Sequence, residues 1–182
     1  MASNARQRIL DGSLELLRVQ GGGTITLDAA AKQVGLTKPG LMYHFPTKEA
    51  LMLAVVDHVA DRWEKLLLDR LGRTVETAGP RERIRAYVEV ALTGQYDRAD
   101  FAIFSDALYR DALTETWVRR FEPWLALSDD LSGPDRARLT AARLLADGYW
   151  TAAATGVFPV PVEDRAQLLA VTEELLKDET TS

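Results

Sequence analysis

Thr37 to Leu51 reads TKPGLMYHFPTKEAL. Thr37 is placed to cap a helix, and Pro39 falls in its first turn, where a missing N–H costs little. Pro46 ends that helix near His44, because proline cannot be continued into and restricts the residue before it. Thr47 then caps a new start, and KEALMLAVVDHVADRWEKLLLDRLGR predicts a long amphipathic helix from Lys48 to about Arg73. The first of these helices is too short to serve a core. It spends a Pro and a Gly and keeps Lys38, Tyr43 and His44 able to reach outward.

Upstream, NARQRILDGSLELLRVQGGG carries apolar residues near i, i+4, i+7 spacing at Ile9, Leu10, Leu14, Leu16 and Leu17, and Gly21 to Gly23 stop it. Thr26 is an N-cap for a helix of roughly Leu27 to Val34, ended by Gly35, with Leu36 expected as a buried plug. Two short helices joined by a tight Gly turn form a helix-turn-helix arrangement. Leu27, Ala30, Val34, Leu36, Leu41 and Phe45 are its expected core.

Downstream the period stays helical. Helices are expected within residues 79–94, 99–111, 113–128 (kinked or split at Pro123), 133–156 and 162–179, with the VFPVP connector outside them. The expectation is therefore an all-α chain of nine helices with no strand and no repeat. The chain has 182 residues, 47% hydrophobic and 27% charged, and no cysteine, so disulfide and thiolate chemistry are excluded. No apolar run reaches the length of a signal peptide or a membrane span, and a soluble, cytoplasmic protein without a membrane partner is expected. The net charge is −5, yet residues 1–50 carry six basic groups against four acidic ones. A mildly basic head stands on an acidic body.

From Thr24 to Val59 the residues resemble the tetracycline-repressor (TetR) family of one-component bacterial regulators. The resemblance rests on Thr26, Ala30, Gly35, Tyr43 with Phe45, and Lys48 with Glu49, and it covers about residues 6–55. It implies a three-helix DNA-binding domain over 1–47 and a larger helical ligand-binding and dimerisation domain over 48–182, connected by the helix from 48 to about 73. The implied function is a ligand-responsive regulator, most often a repressor. It would bind a palindromic double-stranded DNA operator as a homodimer and be released by a small hydrophobic or amphipathic effector. Lys38-Pro39-Gly40 departs from the family pattern, where small or hydroxyl residues are also common, and shifts readout toward backbone contacts and DNA shape.

The chemistry of the residues agrees with that resemblance. A helix entering a major groove needs small residues and donors on its leading face, which Thr37, Lys38 and Gly40 supply, while Pro39 offers apolar contact to a thymine methyl. Tyr43 and His44 are placed one turn later to donate to phosphates, and Thr26 and Lys48 lie at helix N-termini, which favour phosphate. The three threonines are expected to be caps as well, since capping and phosphate contact are compatible.

The body's aromatic residues are mostly core by expectation, with Trp63, Phe104, Trp117, Trp124 and Tyr149 expected to line an effector cavity. Asp106, Glu115 or Asp147 is a candidate partner for a cationic ligand. His58, near Asp57 and Asp61, is expected to face the pocket or solvent, and neither a metal nor a cofactor is expected. Ala137, Ala141, Ala142, Ala152 and Ala153 in the eighth expected helix and Leu168, Leu169, Val171 and Leu175 in the ninth are expected to form the dimer interface. No nucleophile–base set is legible, and no catalytic residue is expected. The alternatives are an all-α small-molecule carrier or enzyme that retains the helix-turn-helix head, or a ligand-independent DNA-binding protein.

Overall fold

The computed structural model describes residues 2–20, 25–93, 99–100 and 108–177. Its helices are α1 (Ala2–Gln20), α2 (Leu27–Gln33), α3 (Lys38–His44), α4 (Lys48–Leu71), α5 (Pro80–Thr93), α6 (Arg110–Leu125), α7 (Gly133–Thr155) and α8 (Arg165–Leu175). No strand occurs among the described residues, and the chain is all-α. Eight α-helices are described where nine were expected. The expected helix over 99–111 falls mostly on residues 101–107, including Phe104 and Asp106, which lie outside the described residues.

The chain divides into two compact units, Met1–Arg62 with Asp97–Arg120 and Trp63–Tyr96 with Phe121–Ser182. The first unit thus reaches past residue 47 into α4 and takes in part of α6. Both α4 and α6 contribute residues to both units.

In the first unit, α2 packs on α1 and on α3. Ile9, Leu10, Leu14 and Leu17 are the buried line of α1, and Ile25, Ala30, Ala31, Leu41 and Phe45 complete the core with the inner face of α4. Leu36 is half-buried rather than plugged, because its position is set by backbone bonding. Its N–H reaches Ala31 O at 2.9 Å while Gly35 N–H reaches Lys32 O at 3.2 Å, a helix C-terminus closed through a left-handed residue. Arg8 adds a guanidinium bond to Val34 O at 3.0 Å. His58 does not face a pocket: its Nε2 lies 2.8 Å from Asp11 Oδ1, tying α4 to α1.

In the second unit, α5 packs along α7, and α8 packs on both. Arginines close the helix ends here. Arg81 donates to Leu176 O and Lys177 O at 3.1 and 3.0 Å, and Arg138 donates to Leu175 O and Glu174 O at 3.2 and 2.7 Å. Arg83 donates to Pro123 O and Ala126 O at the end of α6. The split expected as one alternative at Pro123 does not occur: α6 runs unbroken from Arg110 to Leu125, with Pro123 in its last turn forgoing its own bond to the carbonyl four residues back. Gly156 ends α7 at φ +74, as a C-terminal glycine should.

Gly12 is where α1 and α2 come closest: a Cβ built on it would meet Val34 Cγ1 at 2.5 Å. Gly12→Ala gains about 1 kcal/mol of helix propensity but pays about 1–3 kcal/mol for overpacking. We expect a net loss of about 1 kcal/mol, read as a lower urea midpoint at unchanged slope.

Candidate nucleic-acid interface

Each short helix of the head begins with a threonine whose hydroxyl oxygen accepts a backbone N–H: Ala29 N–H to Thr26 at 3.1 Å, Gly40 N–H to Thr37 at 3.2 Å, and Ala50 N–H to Thr47 at 3.0 Å. All three are N-caps. In each case the cap uses a lone pair and leaves the hydroxyl hydrogen available to another acceptor.

The outward face of α3 follows from its inward one. Leu41 and Phe45 are buried one turn apart, so Pro39, Met42 and Tyr43 project the other way, while Lys38 at the first helical position extends to the surface. Lys38, Pro39 and Thr37 are exposed, Gly40 and His44 are half-buried, and Tyr43 is 84% exposed. The Tyr43 ring meets His44 edge-on, with centroids 5.2 Å apart. Met42, at 39% exposure, shares this face and was missed in the sequence. The spacing of Leu41 and Phe45 was the signal that could have found it.

Charge on this face is sparse. Lys38 Nζ lies 2.8 Å from Asp28 Oδ2, across the turn on α2, and both side chains are largely exposed. Such a pair is worth about 0–1 kcal/mol, so a phosphate competes for Lys38 at small cost. Arg6 stacks over the Phe45 ring at 5.0 Å. Lys48 is half-buried at the first position of α4, and its ammonium stands 5.3 Å from the centre of the Tyr109 ring. Sequence gives no sign of that contact, since Tyr109 is remote in the chain. The structure therefore gathers Thr37, Lys38, Pro39, Gly40 and Tyr43 on α3, with Thr26 and Lys48 at the starts of α2 and α4.

Of the residues expected to line a cavity, Phe104 lies outside the described residues. Trp63 is fully buried, stacked obliquely on Tyr87 and Trp150 with centroids 6.0 and 5.9 Å away and edge-on to Phe121 at 6.3 Å. Trp124 and Tyr149 are buried, and Trp117 is half-buried. The buried Trp124 indole N–H has no hydrogen-bond partner among the described residues. The Tyr149 hydroxyl accepts from Arg165 Nε at 2.9 Å. A cleft of about 630 Å³ in the second unit is lined instead by residues including Pro80, Arg81, Arg85, Leu139 and Leu176. Asp147 is already engaged, by the Tyr87 hydroxyl at 2.6 Å and by Arg143 at 2.6 Å, and Trp150 Nε1 donates to the Tyr87 oxygen at 3.2 Å. Burial foremost, and then the Asp147 charge, push the Tyr87 hydroxyl well above its ordinary value, so it stays a proton donor at neutral pH. Tyr87→Phe leaves Asp147 and the Trp150 N–H each short of a partner. We expect it to destabilise the protein by about 1–3 kcal/mol in denaturant unfolding.

Two family descriptions match the chain. Residues 9–55 match "Bacterial regulatory proteins, tetR family", and residues 81–177 match "Tetracyclin repressor-like, C-terminal domain". Among curated proteins the chain is similar to nucleoid occlusion factor SlmA of Vibrio atlanticus, 32% identical over 50% of this chain and 45% of that protein. It is also similar to HTH-type transcriptional regulator SrpR of Pseudomonas putida, 38% identical over 37% of this chain and 30% of that protein. These matches thus span less than half of either relative's length. Among solved structures it is similar to a protein described as a putative TetR-family transcriptional regulator from Rhodococcus sp. (TM-score 0.70, 18% identity, 94% of this chain and 98% of that one). It is likewise similar to multidrug binding protein EbrR complexed with imidazole (TM-score 0.64, 21% identity, 98% and 93%). At these identities the likeness to solved structures concerns the fold.

Proposed function

The chain belongs to the TetR family of bacterial transcriptional regulators, DNA-binding proteins of the helix-turn-helix type, and from that premise we propose that it is a ligand-responsive repressor. It binds a palindromic operator as a homodimer in the cytoplasm, through a head of residues 1–47, with 48–182 forming the effector and dimerisation body and α4 connecting them. The observation that carries this reading is the outward face of α3, which is short, capped, and exposed at Thr37, Lys38, Pro39, Met42 and Tyr43. Gly40 and Pro39 let that face approach base edges closely, with Pro39 and Met42 apolar toward thymine methyl groups. Tyr43, His44, Lys48 and the hydroxyls of Thr26 and Thr37 donate to phosphates, which sets register rather than sequence.

Two observations support the rest of the proposal. On α7, Ala137, Ala141, Leu144 and Gly148 form an exposed line of small and apolar residues, beside an exposed Val171 on α8 and a 93% exposed Phe158 in the connector. Such a line admits a second helix closely and favours a two-fold pairing of the last two helices, including Leu168, Leu169 and Leu175. In the body, the unpaired buried N–H of Trp124 would recover a hydrogen bond from an effector carrying an acceptor. Trp63, Trp117 and Tyr149, together with Phe104, are the aromatic residues proposed to meet that effector. EbrR is described as multidrug binding, which fits an aromatic-rich effector site. The commitment of Asp147 to Tyr87 and Arg143 favours a neutral or anionic effector over a cationic one.

The deciding measurement is a fluorescence-anisotropy titration of DNA flanking the gene, at fixed salt and with excess competitor. Competitor-resistant, salt-dependent binding is expected; indifference between every flanking fragment and competitor would refute the operator reading. Lys48→Ala should weaken specific and non-specific binding alike and reduce the slope of log affinity against log salt by about 1. Leu144→Glu should convert a dimer to a monomer in sedimentation velocity, and an unchanged sedimentation coefficient would remove the α7 face from the interface.

A further inference from the structure

Tyr109 stands where α6 begins, and its carbonyl accepts the Leu113 N–H at 2.9 Å, which fixes its backbone. Its ring lies beneath the Lys48 ammonium, 5.3 Å from nitrogen to ring centre. The stretch that carries this ring is fastened to α4 at two further points in the same compact unit. Asp100, 1% exposed, is paired with Arg62. Arg120 bonds Asp61 at 2.5 Å and lies 3.5 Å from Asp57. Eleven positions separate Tyr109 from Arg120, and nine to thirteen separate Lys48 from Asp57 and Asp61. At about 1.5 Å per residue the two helices keep step over roughly 16 Å. The segment that carries the ring is therefore tied to the helix that its target lysine opens.

An aromatic face limits where an ammonium held over it can go and leaves its positive charge intact. A lysine side chain otherwise loses much rotamer freedom when it meets a phosphate, because it is a long flexible stem with a point charge. We infer that Tyr109 is a positioning residue for DNA binding: through its cation–π contact it holds Lys48 in the place from which it donates to a backbone phosphate. This rests on the reading of Lys48 as a phosphate contact, and it adds a second residue, from outside the helix-turn-helix segment, to the interface. The tyrosine hydroxyl plays no part in the contact, so phenylalanine substitutes for it and an aliphatic side chain does not.

The test is a double-mutant cycle on the full-length protein, using a mixed-sequence DNA duplex as probe and anisotropy at several salt concentrations. Lys48→Ala reports on the underlying reading. If it changes neither affinity nor salt slope, the phosphate assignment fails, and the inference about Tyr109 falls with it. Given a normal Lys48→Ala loss, Tyr109→Leu should weaken binding about two- to fivefold, the size of an exposed cation–π contact, with the salt slope unchanged because Lys48 still displaces its counterion. Tyr109→Phe should bind as the parent does, and Tyr109→Leu should cost nothing further in the Lys48→Ala background. Tyr109→Gln, with similar reach and no aromatic face, should repeat the leucine result and guards against a folding defect peculiar to leucine. Equal losses from Tyr109→Leu with and without Lys48, or tighter binding by Tyr109→Leu, would overturn the inference.

Discussion

The left-handed residue at Gly35 governs the head. Its φ of +69 lets the chain reverse between α2 and α3 in a few residues, with the Leu36 N–H closing back on Ala31 O and Thr37 already in place to cap the next helix. A side chain at Gly35 would be strained whatever the space around it. Because the turn is so short, the direction of α3 is set by backbone bonding and by the burial of Leu41 and Phe45 rather than by side chains on its outer face. That leaves the outer face free of structural duty. Pro39, Met42 and Tyr43 therefore bear little of the packing that fixes α3, and Lys38 is held only by its exposed pair with Asp28.

Several of the 22 basic residues of this chain serve its helix ends. Arg8 closes the end of α2, Arg83 the end of α6, and Arg81 and Arg138 the end of α8, while Arg165 donates to the Tyr149 hydroxyl and to Thr93 O. Each satisfies carbonyl or hydroxyl oxygens that would otherwise lack a donor, and each sits favourably at a negative helix end. Arg85 is likewise engaged by Glu173 at 3.1 Å. These bonds fix where the guanidinium groups stand while each keeps its full positive charge.

What could be read from the sequence was what depends on neighbours within one turn. The caps at Thr26, Thr37 and Thr47, the stops at Gly35 and Gly156, and the buried pair Leu41 and Phe45 all follow from local spacing. Pro123 misled because the loss of one backbone bond is a cost rather than a bar to a helix, and only the structure places the helix end two residues later at Leu125. His58 was ambiguous for the opposite reason: its partner Asp11 lies on a different helix, and no local pattern points to it. The same holds for Lys48 over Tyr109 and for the chain from Trp150 through Tyr87 to Asp147 and Arg143. An aromatic residue in a helical period reads as core, and whether its polar edge finds a partner is decided by elements distant in sequence. Trp124 and Tyr87 look alike in that respect until one proves orphaned and the other doubly bonded.

For the proposed release by an effector, tight binding in the body is insufficient. A ligand shifts an equilibrium only by the difference in its affinity for the two states, and a coupling of about 1–3 kcal/mol corresponds to a change of roughly 5–150-fold in DNA affinity. The head's design makes a change of that size reachable through geometry. Several weak contacts from Thr26, Thr37, Tyr43 and Lys48 must be made together, and in a dimer twice over at a fixed spacing of about 34–36 Å. A shift that leaves every residue folded but spoils the simultaneous fit of both heads forfeits many small terms at once. The helices α4 and α6 are suited to carry such a shift, since each contributes residues to both compact units, and the ion pairs of Arg120 with Asp57 and Asp61 bind them to one another. Within the first unit these pairs and the contact of Lys48 with Tyr109 tie the segment around α6 to α4, so a shift of one against the other would be felt at the phosphate contact proposed for Lys48.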